Sequence, residues 1–192
     1  MFLSAPNIIL EMSKSSAPLT SKGYIVLTQF TELETGFMRL ALEQAEIAEI
    51  AGEVPAGAIV VDPNGLPVGW GWNQVITLSD PTAHAELQAL RQAAARCGNY
   101  RLTGHLLFST LEPCPMCMMA AIHARLDLVV FGAPEPRWGA AGSLINLAGL
   151  EGLNHSLRIK GGLLAEEARR LITSFFQSKR RSHFNSKKPG GN

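Results

Sequence analysis

From Thr35 the chain takes on helical spacing. Phe37, Leu40, Ala41, Gln44, Ala45, Ala48 and Ala51 gather near one face, with Glu43, Glu46 and Glu49 elsewhere. Gly52 supplies a stop. The pattern then shortens. "AGAIVVD" predicts a buried strand, and "DPNG" at 62–65 a turn made of residues suited to one. "LPVGWGWN" predicts the second strand of a hairpin. Its glycines and two tryptophans imply close approach to a neighbour or filling of the core. In "SDPTAHAELQALRQAAARCGN" the spacing returns to helical. Asp80 is the expected N-cap, Pro81 the first helical residue, and Ala83, Leu87, Leu90 and Ala94 the apolar stripe, ending at Gly98 or Asn99.

Downstream, "HLLFST" (105–110) predicts a strand and "PCPMCMMAAIHAR" a helix opened by Pro113. "DLVVFG" (127–132) predicts another buried strand, and "APEPRWGAAGS" a loop that neither period explains. A weak strand near "LRIKG" and a helix from about Leu164 to Phe176 complete the pattern. Strands alternating with helices after an initial hairpin predict a three-layer α/β domain. Residues 1–30 show no period, and "SKSSAPLTSKG" reads as linker or disorder. The expected organisation is an extension over 1–30, one folded domain over 31–178 and a basic tail over 179–192.

Composition narrows the class. The 192 residues are 46% hydrophobic and 17% charged, as in a globular protein with a core. No apolar run reaches membrane-spanning length, and the first residues lack a secretory pattern, so a cytoplasmic protein without membrane contact is expected. Net charge is +1 but unevenly spread. Residues 1–157 hold 8 Lys/Arg against 14 Asp/Glu, and residues 158–192 hold 9 against 2. A basic end on an acidic body points to a polyanionic partner.

Two of the three cysteines, Cys114 and Cys117, form a C-x-x-C pair. Alone it fits a redox disulfide, part of a structural zinc site or part of a catalytic one. Cys97 follows the apolar stripe of its helix and is expected to act as a small hydrophobe. His105, His123, His155 and His183 lack acidic or Cys neighbours at ligand spacing. His84 differs, with Glu86 two residues on. Cys114 and Cys117, at i and i+3, share a helix face. His84 and Glu86, at i and i+2, would not share a face mid-helix, but they can converge if a metal sits beyond the helix end. A metal there would lie between two helix N-termini, whose positive ends favour thiolates. Three protein ligands leave a fourth tetrahedral position for water. Two thiolates and a neutral imidazole balance the charge of Zn²⁺, so Glu86 is free to act as a base.

His-x-Glu followed about 30 residues later by Pro-Cys-x-x-Cys resembles the signature of zinc-dependent nucleobase and nucleoside deaminases. "EVPAGAIVV", "GWN", "DPTAHAE", "NYRL", "TLEPCPMC", "IHAR", "VVFGA", "GAAGSL", "LNH" and "SFFQSKRR" extend the likeness from about Leu33 to Arg181. In these segments the chain resembles the bacterial tRNA-specific adenosine deaminases. The resemblance implies an α/β/α cytidine-deaminase-like fold around a mixed five-stranded sheet. It implies one zinc held by His84, Cys114 and Cys117, with Glu86 moving a proton from water to N1 of the base and on to the leaving ammonia. Asn73 would hydrogen-bond the purine. The implied substrate is the wobble adenosine of a tRNA anticodon stem-loop, and the implied assembly a homodimer. The tail "QSKRRSHFNSKKPGG", with five Lys/Arg, is suited to RNA phosphates.

Two departures stand out. Met118-Met119 replaces residues that are more often small, and Glu135 and Arg137 stand nearest an Asp and a following Lys. The main alternative is a deaminase of a free base or nucleoside such as guanine or cytosine, since guanine deaminases also carry "HAE" and "PCPMC" segments. A non-catalytic zinc or RNA-binding module and a thiol oxidoreductase are further alternatives.

Overall fold

The computed structural model describes residues 30–186; the expectations for the first 29 residues and for 187–192 lie outside the described residues. Helix α1 (Glu32–Ile50) starts earlier than the spacing predicts. Thr31 caps it: its hydroxyl accepts from the Glu34 N–H, and the Glu34 carboxylate accepts from the Thr31 N–H. Phe37, Met38, Ala41, Ala45 and Ala48 are its buried apolar residues, while Ala51 is exposed.

The hairpin forms as predicted, with β1 (Gly57–Val61) antiparallel to β2 (Pro67–Trp72) around the 62–65 turn. β1 is also antiparallel to β3 (Leu106–Leu111). β3, β4 (Leu128–Ala133) and β5 (Arg158–Gly161) run parallel. The result is a mixed five-stranded sheet of order β2-β1-β3-β4-β5. Side chains alternate along it. Ala58, Val60, Leu107 and Val129 pack beneath α2 (Ala85–Cys97) and α3 (Pro115–His123). Ile59, Val61, Phe108 and Val130 pack on the opposite face with α1 and Leu163, which precedes α4 (Ala165–Ser186). This is the expected three-layer arrangement. A buried ion pair, Glu34 with Lys160, ties the start of α1 to β5.

Two helix starts differ from expectation, and both bear on the site. α2 begins at Ala85, not Pro81, and its N-cap is His84. Asp80 caps a separate turn: one carboxylate oxygen accepts from the N–H and hydroxyl of Thr82, both at 2.7 Å. Its buried face is Ala85, Ala89, Leu90 and Ala93, so Leu87 and Ala94 of the predicted stripe lie at its margin. Likewise α3 is opened by Pro115, not Pro113. A proline disfavours helical geometry in the residue before it, so Pro115 holds Cys114 extended (φ −72°, ψ 171°) as the N-cap.

Burial settles two side-chain questions. Met118 is wholly buried between α2, α3 and the sheet, with Met119 packed beside it, so the pair fills core. Cys97 is exposed, not a core hydrophobe; its sulfur lies 3.6 Å from Nε2 of buried His105. The last helix continues ten residues past Phe176, to Ser186, carrying Lys179, Arg180 and Arg181 on helix. The "SKRRSH" segment has no breaker to stop it.

α2 presses unusually close to β2. A Cβ on Gly71 would stand 2.1 Å from the Ala85 carbonyl oxygen and 2.5 Å from the Ala89 nitrogen. Only glycine admits this contact, and it seats the first turn of α2 at the sheet. Gly98, left-handed at φ 62°, ends the helix.

Candidate active site

His84, Glu86, Cys114 and Cys117 meet where the N-termini of α2 and α3 converge, at the carboxyl end of β3. His84 and Cys114 are both extended N-cap residues, and neither side chain caps its own helix. The His84 Nδ1 lies 3.6 Å from each sulfur, and the sulfurs are 3.7 Å apart. Tetrahedral zinc ligands, at about 2.3 Å for sulfur and about 2.05 Å for nitrogen, stand about 3.8 Å apart for S–S and about 3.6 Å for S–N. The three side chains already have that spacing. Among the described residues they form the one group of three or more such side chains suited to a metal. Among the described residues, neither Cys97 nor His105, His123 or His155 joins them.

The electrostatics agree with a cation. The Cys117 thiol donates to Cys114 and, with His84, holds the Cys114 thiol down at about 4 against the effect of burial. The same hydrogen bond and burial push Cys117 up. His84 is raised, first by its hydrogen bond to Cys114 and then by the charge of Glu86, against burial. Without a metal the pair favours one thiolate, and a dication between the sulfurs would ionise both, because a coordinating thiol is deprotonated outright.

Glu86 is buried, 6% exposed, with Oε2 3.5 Å from the Cys117 sulfur. Burial raises its carboxyl above the usual range. The donor set of His84, Cys114 and Cys117 needs no fourth charge, so the Glu86 carboxylate is not required as a ligand.

His84, Glu86 and Cys114 line a cavity of about 690 Å³, together with Asn73, Val75, Leu111, Met116, Ile76 and Trp138. Asn73 is buried at the end of β2, and its amide donates to Glu53 at 3.1 Å. The other Glu53 oxygen accepts from the Thr77 N–H at 2.6 Å, so Glu53 fixes Asn73 and the 74–78 segment together. Another hollow, about 660 Å³ between α1 and α4, lies apart from this cluster.

Sequence reasoning missed Glu53 and Glu112 as site residues. Glu112 is buried below the cavity rim and accepts from three backbone N–H groups of the following loop: Glu135, Ala141 and Ser143, at 2.9–3.0 Å. It organises the loop that periodicity could not explain. The available signal was a carboxylate at the end of an apolar strand run, where burial demands partners.

Residues 31–133 match the family described as the cytidine and deoxycytidylate deaminase zinc-binding region. The chain is 45% identical over 150 residues to a tRNA-specific adenosine deaminase of Haemophilus influenzae, covering 78% of this chain and 87% of that one. It is 39% identical over 145 residues to a tRNA-specific adenosine deaminase of Bacillus subtilis, covering 76% and 89%. A structure from a study of A-to-I editing by tRNA:A34 deaminases at the wobble position of transfer RNA superposes with a TM-score of 0.69 at 36% identity. That match covers 71% of this chain and 99% of the other.

Proposed function

We propose, on the premise that the chain belongs to the zinc-binding cytidine and deoxycytidylate deaminase family and within it to the tRNA-specific adenosine deaminases, that it hydrolyses adenosine to inosine at the wobble position of a tRNA anticodon. The observation that carries the chemistry is the buried Glu86 beside two N-terminal sulfurs and an imidazole, lining a cavity open to solvent. The near full-length likeness to tRNA-specific adenosine deaminases supports the substrate.

His84, Cys114 and Cys117 would hold the zinc, which when bound supplies Lewis acidity for water activation. Everything else falls to the protein. Glu86 takes a proton from the attacking water and places it on N1 of the adenine, drawing electron density from C6 as the new C–O bond forms. It then carries the second proton to the exocyclic amine, which leaves as ammonia. One carboxylate thus moves both protons, and burial suits it to this by raising its affinity for them. Asn73, held by Glu53, offers its remaining polar valences to the purine. Leu111, Met116 and Val75 exclude bulk water from the base.

The target adenosine lies in a single-stranded loop, where a base leaves its stack at small cost. The exposed Lys179, Arg180 and Arg181 on α4 are suited to RNA phosphates. Homodimeric assembly and a cytoplasmic location complete the proposal. No helix among the described residues is long and apolar enough to cross a membrane. The deciding experiment offers the purified protein an anticodon stem-loop with a wobble adenosine, guanine and cytidine. Inosine at the wobble position is the expected result. Ammonia from guanine or cytidine alone would replace this reading with the free-base alternative. Sedimentation of the same preparation measures the dimer.

A further inference from the structure

Trp138 is 67% exposed, yet it lines the cavity that holds Glu86. Ile76, on another wall, is 70% exposed. Lining the cavity while facing solvent puts both at its mouth. The loop bearing Trp138 is not loose. Three of its N–H groups are pinned by Glu112, Gly139 N–H donates to the Glu135 carbonyl at 2.7 Å, and Ala140 N–H donates to the Pro113 carbonyl at 2.9 Å. The ring is thus presented on ordered backbone, with much of the entropy cost of a binding loop already met in folding. Exposed Arg137 precedes it, and Glu135 turns its carboxylate back onto the Arg137 N–H at 2.9 Å.

We propose that Trp138 is a base-stacking residue for a nucleotide flanking the target adenosine, an inference that rests on the tRNA reading above. A base that swings into the cavity strips a neighbour of its stacking partner. An exposed indole at the mouth offers a replacement face. Stacking on an aromatic ring tolerates any base, so it adds affinity without reading sequence. Exposed Arg137, the preceding residue, adds positive charge to the same loop for the RNA phosphates.

The test uses the full chain and anticodon stem-loops with a wobble adenosine, either intact or abasic at the nucleotide 5′ or 3′ of the target. Trp138→Ala should raise KM for the intact RNA by about 5- to 150-fold, with a smaller effect on kcat. Trp138→Phe should recover most of the loss. Removing the base on one side should cost the wild type a similar factor and cost Trp138→Ala little more. Stem-loop binding should also quench tryptophan fluorescence in the wild type, an effect reduced in Trp138→Ala. Independent, multiplicative losses at both flanking positions would overturn the stacking role. So would a KM defect explained by dissociation of a dimer, which would give Trp138 to a second copy of the chain. Failure of the wild type to form inosine in any stem-loop would defeat the functional reading itself. Inosine formed with unchanged KM by Trp138→Ala would defeat only the stacking.

Discussion

Gly71→Ala tests whether the seating of α2 on β2 places the site. The added Cβ would lie 2.1 Å from the Ala85 carbonyl oxygen, and ordinary contacts begin at 3.4 Å. The two nearest atoms are backbone and the third, the Gln88 Cβ, is fixed to it, so the first turn of α2 must withdraw by about 1.3 Å, the gap between those distances. His84 and Glu86 ride on that turn, while Cys114 and Cys117 ride on α3. Metal sites tolerate ligand displacements of only about 0.2 Å. Overpacking of this kind costs about 1–3 kcal/mol, which in a chain of this size lowers Tm by about 2–12 °C. The same shift should weaken zinc by about 10- to 100-fold or more, as loss of supporting contacts does elsewhere. Calorimetry of the metal-stripped chain and chelator competition measure the two effects separately. Gly69→Ala is the comparison: its Cβ meets the Ala89 carbonyl oxygen at 2.2 Å, one turn further from His84, so stability should fall similarly and zinc affinity less. Gly36→Ala is the control. Nothing lies within 4 Å of that exposed helical position, and alanine there should stabilise by about 0.5–1 kcal/mol. Wild-type melting and zinc affinity in Gly71→Ala would refute the argument, because His84 would then owe its place to something else.

Glu86→Gln should keep about one zinc per chain by metal analysis, whereas Cys114→Ala should lose it; the Gln variant should slow inosine formation by about 10²- to 10⁴-fold. Near-normal turnover would remove Glu86 from its role. Glu34→Ala should destabilise by about 3–5 kcal/mol in urea melts, since it strands the buried Lys160 ammonium. Replacing both with methionine should recover most of that, and an equally unstable double variant would locate the cost in packing instead. The Asp80 carboxyl is held below its ordinary value by the hydroxyl and N–H of Thr82. Its contribution to stability is therefore present above the ordinary carboxylate range and fades as pH falls through the lower folded value. Asp80→Asn should flatten that part of an acid-melting profile, and an unchanged profile would show that the turn does not depend on the charge.

What was legible in the sequence followed from where one physical rule dominated. Buried strands such as "AIVV" and "LVVF" have no alternative use for their β-branched runs, and the hairpin between β1 and β2 follows from "DPNG". The convergence of His84, Glu86, Cys114 and Cys117 was legible too, because the paired motifs singled the four residues out and i, i+2 spacing lets the first pair meet beyond a helix end. The helix starts were not. Asp80-Pro81 is a strong start signal, but Asp80 spends its carboxylate on Thr82, and α2 begins four residues after Pro81. That delay keeps His84 extended and outside the helix, free to face the sulfurs. A helix starting at Pro81 would have wound His84 into its first turn. The local propensity lost to the site's geometry.

Glu53 and Glu112 were missed for a related reason. Neither belongs to a metal-ligand pattern, and period analysis treats a lone carboxylate as surface. Both are buried, 1% and 4% exposed, and each satisfies its two oxygens on groups distant in sequence: Asn73 and Thr77 for one, residues 135–143 for the other. A carboxylate with those partners acts as a staple. Glu53 holds the segment that carries Asn73, and Glu112 the loop that carries Trp138. The candidate metal ligands sit at helix ends, whereas Asn73 and Trp138 follow strands on loop segments, and each of those segments is anchored by a buried acid. Loss of Glu112 should loosen recognition of RNA while leaving the spacing of the sulfurs and the imidazole intact.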